Sequence, residues 1–339
     1  MTFSIRKTVF ILSILAIVLN FTLYVISKES EDKLRIAYIT DLNLFPTPIA
    51  SQHEKHLEEK KSGLLIYESQ SILQDIIKYL NFKQNYDVVI FGGNNIYLDA
   101  SEQVNSSLNI MHLFLDIVSE INSDIFFIFG NNDQKICRRE ELVNALNLIG
   151  VHTDNLWWSV IKNNFLLIGL DSELFFNNSP HMQIHLKWLK DVLSINSKLP
   201  TVIFMHEGIF AEDGAIIKNK NITKFLEILK QNPQVYLLVS GGEYLNRVKI
   251  VGNSVYVSSA SPIAYPCSYK VIELSSDKIK IDTLNIGLKG VIKKAEKSLL
   301  ESHRASNYSK NSPKSIKDYV VGDKSDRKFE ISSEHLRNR

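Results

Sequence analysis

The chain has 339 residues, enough for one large domain with a substantial core or for two small domains. Its hydrophobic fraction of 45% and charged fraction of 22% are ordinary for a globular protein, and its net charge of +2 gives no reason to expect a nucleic-acid partner. It has only two cysteines, Cys137 and Cys267, which excludes a disulfide framework and a zinc module. These two thiols either pair in an extracytoplasmic domain or stay free in the core.

The first predicted element is an apolar run at residues 8–26, which follows the basic residues Arg6 and Lys7. At about 1.5 Å per residue, a helix of this length nearly crosses a hydrocarbon core of roughly 30 Å, so the run predicts a transmembrane signal anchor. The basic residues predict that residues 1–7 are cytoplasmic and that the rest lies on the lumenal or extracytoplasmic side. Two alternatives stay open: a signal peptide cleaved near Ser27, which would give a secreted protein, and a buried core helix.

After a charged linker at 27–33, strand and helix patterns alternate along the chain. Short apolar runs that are typical of buried strands lie at 34–40, 87–91, 124–129, 165–171, 201–206 and 235–240. Apolar residues at helical spacing lie between or beside these runs, at 64–80, 107–121, 138–150, 181–193 and 222–231. This order predicts an α/β domain over 34–290, built as a two-sheet mixed β sandwich flanked by helices.

The chain changes character at about residue 291, after which Lys, Ser and Asn are frequent and large apolar residues are few. A segment of this composition buries too little apolar surface to offset the entropy that is lost when it becomes ordered. We therefore predict a disordered basic tail at 291–339.

Five of the strand-like runs end in a short polar cluster. The clusters are ITDLN ending at Asn43, IFGGNN ending at Asn95, IFGNND ending at Asp133, IFMHE ending at Glu207 and VSGGEY ending at Tyr244. Ligands gather at the carboxyl ends of strands in an open α/β sheet, so the clusters are expected to converge on one site. Their order and spacing resemble those of the calcineurin-like metallophosphoesterases, whose motifs run D-x-H, G-D, G-N-H-[DE], H and G-H-x-H.

That resemblance implies a calcineurin-like phosphoesterase fold with, in the family, two divalent ions about 4 Å apart and a bridging hydroxide that attacks phosphorus. Asp41, Asn131 and His206 match ligand positions of the family. The remaining ligand and acid positions hold other residues, namely Asn43, Gly93, Asn132, Gly242 and Tyr244. Glycine cannot supply the carboxylate that both ions share, so the ions would repel each other with less compensation. We therefore expect a largely lost centre, with no catalytic residue and no cofactor.

From these residues we expect a membrane-anchored calcineurin-like phosphoesterase-domain protein that binds a protein, lipid or glycan without catalysis, that is, a pseudoenzyme. One alternative is an active metal-dependent phosphoesterase with a single Mn, Fe or Zn ion. Its ligands would be Asp41, Asn131, His206 and either Glu207 or Glu243. A second alternative is a structural or assembly factor on the lumenal face of the membrane.

Several of the motif residues also have structural interpretations. Asp41, Asn131 and Asp133 are expected to form turn and cap hydrogen bonds, as Asx residues often do. His206, at the end of a strand, is expected to be a hydrogen-bonded interior histidine. On this interpretation the motif residues keep the loops in place and bind no metal.

Two residue pairs outside the motifs carry groups that bind metals or ligands in other proteins. His181 and His185 are one helical turn apart near Trp188, and we expect them on an exposed helix face rather than at a metal. Trp157 and Trp158 are expected to pack in the interior rather than to line a binding surface. Neither pair is assigned a functional role from the sequence.

Overall fold

The computed structural model describes residues 33–45, 61–83, 85–98, 105–177, 179–211, 214–309, 315–332 and 334. The predicted transmembrane run at 8–26, the cytoplasmic residues 1–7 and nearly all of the linker lie outside the described residues. Among the helices of the described ranges, none combines the length and the hydropathy that crossing a membrane requires.

The strands and helices follow one another along the chain in the predicted order. The strands are β1 (Lys33–Ile39), β2 (Val88–Gly92), β3 (Asp124–Ile128), β4 (Trp158–Lys162), β5 (Phe165–Gly169), β6 (Thr201–Glu207), β7 (Val235–Gly241), β8 (Arg247–Val251), β9 (Ser254–Ser258), β10 (Ser268–Ser275), β11 (Lys278–Asn285) and β12 (Lys328–Ser332). The helices are α1 (Ser69–Lys83), α2 (Asn105–Val118), α3 (Asn131–Ile136), α4 (Arg139–Leu148), α5 (Glu173–Phe176), α6 (His181–Ile195), α7 (Lys220–Lys230), α8 (Lys289–Glu301), α9 (Ala305–Ser309), α10 (Ile316–Val321) and α11 (Lys324–Arg327).

The strands form two six-stranded sheets. In the first, the order is β12-β11-β10-β1-β2-β3, with β1, β2 and β3 parallel and the remaining strands antiparallel to their neighbours. In the second, the order is β4-β5-β6-β7-β9-β8, with a parallel centre and antiparallel edge strands β4 and β8. The predicted α/β fold with two mixed sheets flanked by helices is therefore confirmed.

The core lies between the sheets and beneath the helices that cover them. All five residues of β2 and all seven of β7 are buried, as expected for parallel strands that are covered on both faces. Where the two sheets meet, the Trp158 ring stacks on Phe126 with 5.0 Å between ring centroids, and its indole N–H donates to Phe127 O at 2.8 Å. Trp157 is buried as well, so the prediction that both tryptophans pack in the interior is confirmed.

His185 is buried, and its predicted place on an exposed helix face is therefore wrong. It shares the buried face of α6 with Met182, Leu186, Leu189 and Leu193. Its ring stacks on that of Trp157 with centroids 4.6 Å apart, a contact that the sequence did not indicate because the two residues lie on different elements. Burial, and then the charge of Arg139, lowers the pKa of His185 to about 3, so its imidazole is neutral. His181 is exposed, as predicted.

Both cysteines lie in the interior as free thiols, which answers the choice left open by the sequence. Burial raises the pKa of Cys137 and of Cys267 to about 12. Such thiols are protonated at neutral pH and behave as small apolar side chains.

The prediction of a disordered tail at 291–339 is wrong for residues 291–309 and 315–332, which fold onto the domain. Helix α8 places Ala295 and Leu299 four residues apart on one face, and both side chains are buried. Strand β12 pairs with β11 and forms an edge of the first sheet. Average composition was a poor guide to order in this segment. A few apolar side chains are enough to order a helix when they share one face and cover an existing apolar surface.

Candidate functional site

The polar clusters that end β1, β2, β6 and β7 converge at one place between the two sheets. Asp41 N–H donates to Gly93 O at 2.9 Å, and Gly242 N–H donates to the Asp41 carboxylate at 2.9 Å. His206 Nε2 lies 3.7 Å from Asp41 Oδ1. The residues that the sequence placed at the carboxyl ends of separate strands therefore form a single cluster.

Asp41 is at the centre of this cluster and is fully buried. Its Oδ2 accepts from the Thr40 hydroxyl at 3.0 Å and from Gly242 N–H, while its Oδ1 accepts from Asn94 Nδ2 at 3.3 Å. The backbone at Asp41 has φ +57°, which Asx residues adopt more readily than most. The carboxylate thus has protein partners on both oxygens, but two of them come from distant loops rather than from the turn or cap that the structural interpretation predicted.

His206 is buried beside Asp41, with 1% of its surface exposed. Its Nδ1 lies 2.8 Å from Gly92 O, and because a carbonyl only accepts, Nδ1 carries a proton and donates. Burial lowers the pKa of His206, but Asp41 and Glu207 act against it and raise the pKa above its ordinary value. The prediction of a hydrogen-bonded interior histidine is confirmed.

The His206 ring packs closely against two glycines. A Cβ at Gly93 would be 2.5 Å from His206 Nδ1, and a Cβ at Gly130 would be 2.5 Å from His206 Cδ2. Gly93 also has φ +93°, a conformation that L residues rarely adopt. The imidazole therefore fills the space into which any side chain at position 93 would extend.

Three asparagine side chains join the loops after β1, β2 and β3. Asn132 Nδ2 donates to Asn43 Oδ1 at 2.9 Å, and Asn132 N–H donates to Asn94 Oδ1 at 2.9 Å. Asn43 Nδ2 in turn donates to Asp41 O at 3.2 Å. The sequence pointed to Asn43 and Asn132 as replaced ligands but missed Asn94. The only sequence feature that pointed to Asn94 was the pair of asparagines that follows Gly93.

Asp133 holds together the loops that follow β2 and β3. Its hydrogen bonds with backbone N–H groups suggest no ligand role. Its carboxylate accepts from Asn95 N–H at 2.8 Å, Ile96 N–H at 3.1 Å and Gly130 N–H at 3.0 Å. Burial raises its pKa to about 6, although the hydrogen bonds from Gly130 and Ile96 lower it. Asn131, the third residual ligand position, begins α3 half-buried, and its side chain has no hydrogen bond to another described residue.

Glu207 and Glu243, the two candidates for completing a single-metal shell, have other partners. The Ser172 hydroxyl donates to Glu207 Oε2. Glu243 Oε2 forms an ion pair with Arg247 Nη1 at 2.9 Å. The structure therefore brings Asp41 and His206 together, while one oxygen of each glutamate is bonded to a neighbour outside the cluster.

Tyr244, which occupies a lost histidine position, lies at the rim of the cluster. The Arg304 guanidinium carbon lies 4.7 Å from the centroid of its ring. The Tyr308 hydroxyl donates to Glu243 O at 3.0 Å, which fastens α9 to the same loop. Burial, and then the charge of Asp41, raises the pKa of Tyr244. The C-terminal helices thus cover this side of the site, which the composition of the tail did not suggest.

The donor set does not fit a dinuclear metal centre. In the described ranges, no three or more His, Cys, Asp or Glu side chains are grouped so that they could share a metal ion. Gly93 has no side-chain donor, and His206 directs its Nδ1 proton to Gly92 O. At the ligand positions that the described residues keep, the donors are the Asp41 carboxylate, the His206 Nε2 and the half-buried Asn131 amide, and the first two lie inside a buried hydrogen-bonded cluster.

Comparison with known proteins identifies the family. The family model of the calcineurin-like phosphoesterases matches residues 34–241. This chain belongs to the calcineurin-like phosphoesterase family. A search of the curated proteins found no match.

Three solved structures are similar to the chain at low sequence identity. A dimetal phosphatase from Danio rerio is 15% identical, with a TM-score of 0.56 over 75% of this chain and 96% of that chain. The purple acid phosphatase PPD1 from yellow lupin (Lupinus luteus) seeds is 11% identical, with a TM-score of 0.53 over 76% and 52% of the two chains. GAP50, described as the anchor in the inner membrane complex of Plasmodium, is 13% identical, with a TM-score of 0.49 over 79% and 94%. At this level of identity the first two likenesses support the fold alone.

Proposed function

We propose that this calcineurin-like phosphoesterase domain serves for binding rather than for hydrolysis, and that the apolar run at 8–26 anchors the protein in a membrane. The observation that supports a non-catalytic role most strongly is the position of the His206 imidazole over Gly93 and Gly130. The Cβ of any side chain at position 93 would overlap this ring, which supports the absence of a carboxylate there.

The remaining residues also lack the groups for phosphate ester hydrolysis. A two-metal site needs a shared carboxylate, a metal-bound nucleophile and a group that protonates the leaving oxygen. Gly93 cannot supply the first, and the Asn132 amide, which donates to Asn43 Oδ1 at 2.9 Å, cannot release a proton as an imidazolium does. Access for an ion would also break buried hydrogen bonds of Asp41, each contributing about 1.5–3 kcal/mol when one partner is charged.

Metal content of the purified full-length protein tests this proposal. After growth with added Mn and Zn, elemental mass spectrometry is expected to find well under one equivalent of metal, unchanged in the His206→Ala variant. His181→Ala is the matched control, because His181 is an exposed histidine outside the cluster. Near-stoichiometric metal that disappears in His206→Ala and persists in His181→Ala would overturn the proposal and favour the single-metal phosphoesterase.

Activity provides the second readout. Hydrolysis of p-nitrophenyl phosphate and bis(p-nitrophenyl) phosphate by the protein is expected to equal the rate with buffer alone, with Mn or Zn supplied. Turnover that the His206→Ala variant loses and the His181→Ala variant keeps would contradict a binding role.

The membrane part of the proposal has its own test. The basic residues before the apolar run support a domain on the lumenal or extracytoplasmic side, where its ligand would be a protein, a lipid or a glycan. After alkaline carbonate extraction of membranes, the full-length chain is expected in the pellet. Its release into the supernatant would indicate cleavage near Ser27 or no anchor at all.

A further inference from the structure

A cavity of about 430 Å³ lies between the sheets and the C-terminal segment, residues 289–332. Its described walls include Ile292 on α8, Val321 on α10 and Leu284 on β11. Every described residue that lines it lies beyond residue 241, where the match to the family ends. The cavity is therefore a property of the C-terminal region of this chain and is separate from the degenerate metal site.

The polar groups in the cavity wall are those that bind an anion. Arg327, an exposed residue at the end of α11, contributes a guanidinium at the cavity mouth for which the described residues provide no hydrogen bond or ion pair. Thr283 and Asn246 contribute a hydroxyl and an amide, and the described lining residues include no carboxylate. A wall with one cation, neutral hydrogen-bonding groups and apolar side chains matches an organic anion better than a cation or a neutral ligand.

A buried lysine adds positive charge directly behind this wall. Lys270 is fully buried, and its Nζ donates to Thr283 Oγ1 at 2.7 Å and to Asp326 O at 2.8 Å. Both acceptors are neutral, and the Asp326 carboxylate instead accepts from Val248 N–H at 2.8 Å and from Asp323 N–H at 2.8 Å. Burial lowers the pKa of Lys270 to about 7. The Asp326 carboxylate acts against burial and raises the pKa of this amine, while the Arg327 charge lowers it. An anion on the far side of Thr283 would add negative charge beside the amine and would accept from the Thr283 O–H.

We propose that this cavity binds a small organic anion, with its phosphate or carboxylate group at Arg327 and Thr283 and its apolar body against Leu284, Ile292 and Val321. The cavity volume of about 430 Å³ lies within the usual range for small-molecule sites. The proposal is independent of the metal site, so its failure would leave the proposed non-catalytic role unaffected.

Calorimetric titration of the full-length protein in a phosphate-free buffer tests the ligand class. The probes are phenyl phosphate and benzoate, with phenol as the neutral compound of similar shape and inorganic phosphate as the anion without an apolar body. At least one organic anion is expected to bind roughly tenfold or more tightly than both phenol and inorganic phosphate, as for a charge-assisted contact next to an apolar wall. Preference for phenyl phosphate or for benzoate then identifies the oxyanion. Binding of neither, or binding no tighter than that of the two reference compounds, overturns the proposal.

Three variants localise the binding. Arg327→Gln is expected to weaken it roughly tenfold or more, while Lys324→Gln, an equal loss of charge at an exposed position of the same helix, leaves it unchanged. Ile292→Phe fills the cavity without changing charge and is expected to abolish binding. Equal effects of Arg327→Gln and Lys324→Gln, or full binding by a folded Ile292→Phe protein, would place the anion elsewhere and refute the site. Circular dichroism of each variant verifies that it is folded.

Discussion

Replacing Gly93 by alanine tests whether the His206 imidazole fills the space of the lost carboxylate. The backbone at Gly93 has φ +93°, and the new Cβ would lie 2.5 Å from His206 Nδ1. Backbone strain of this kind costs about 1–3 kcal/mol. Displacement of a packed side chain costs about 1–3 kcal/mol more. We therefore expect the free energy of unfolding to fall by roughly 2–6 kcal/mol.

Gly150 separates the backbone contribution from the overlap. It has a similar φ of +85°, and no heavy atom of the described residues would lie within 4 Å of an added Cβ. Gly150→Ala is therefore expected to cost only the backbone strain, about 1–3 kcal/mol. The excess of Gly93→Ala over Gly150→Ala measures the overlap with the ring.

A double-mutant cycle assigns that excess to His206. His206→Ala removes the ring atoms nearest the new methyl group, although the His206 Cβ stays 2.8 Å away. The cost of Gly93→Ala is therefore expected to be smaller by about 1 kcal/mol or more in the His206→Ala background. Urea denaturation followed by circular dichroism supplies all the free energies. Equal losses for Gly93→Ala and Gly150→Ala, or strict additivity in the cycle, would refute the idea that the ring replaces a carboxylate.

Other residues provide three further predictions. Lys270 has a pKa of about 7 when folded and about 10.4 when unfolded, so the unfolded chain binds more protons between these values. Stability should rise by about 2 kcal/mol from pH 7 to pH 9 in urea denaturation, and Lys270→Met should lack this rise. Asp133→Ala leaves the N–H groups of Asn95, Ile96 and Gly130 without their acceptor, so it should lower the free energy of unfolding by roughly 3–6 kcal/mol. Asp133→Asn keeps one side-chain oxygen and should lower it by less in the same assay. Val320→Asp buries an unpaired charge and should therefore expose the C-terminal segment to cleavage by trypsin. Resistance to trypsin equal to that of the unmodified protein would contradict this prediction.

The sequence predicted the location of the site because its residues follow the ends of buried strands. Asp41 and His206 could be paired from the sequence alone, since carboxyl ends of parallel strands meet at one edge. Their hydrogen bonds could not be predicted, because the partner of His206 Nδ1 is a backbone carbonyl, Gly92 O. Asn94 was missed for a related reason: two asparagines follow Gly93, and only the crossing of the loops decides which one reaches Asp41.

The predictions that proved wrong concern residues whose contacts come from distant elements. In the C-terminal segment, the average composition gave no indication that Leu299 and Tyr308 would be buried with Leu245, which lies before β8. His185 was placed on the surface because no carboxylate pattern near it supported a metal site, whereas Trp157 and Trp188 provide stacking partners from another element and from the next turn. Local patterns specify elements well, but burial of an isolated residue depends on what packs against it.

The glycine at position 93 and the placement of His206 depend on each other. Aspartate at position 93 does not fit the present arrangement, because φ +93° and the imidazole 2.5 Å from the new Cβ both oppose its side chain. Freeing the imidazole would break its buried hydrogen bond to Gly92 O, a further loss of about 1–3 kcal/mol. A side chain at position 93 thus requires a different backbone there and a different histidine rotamer at the same time. The present cluster is thus held by packing of the His206 ring on Gly93 and by the hydrogen bonds of Asp41 and His206.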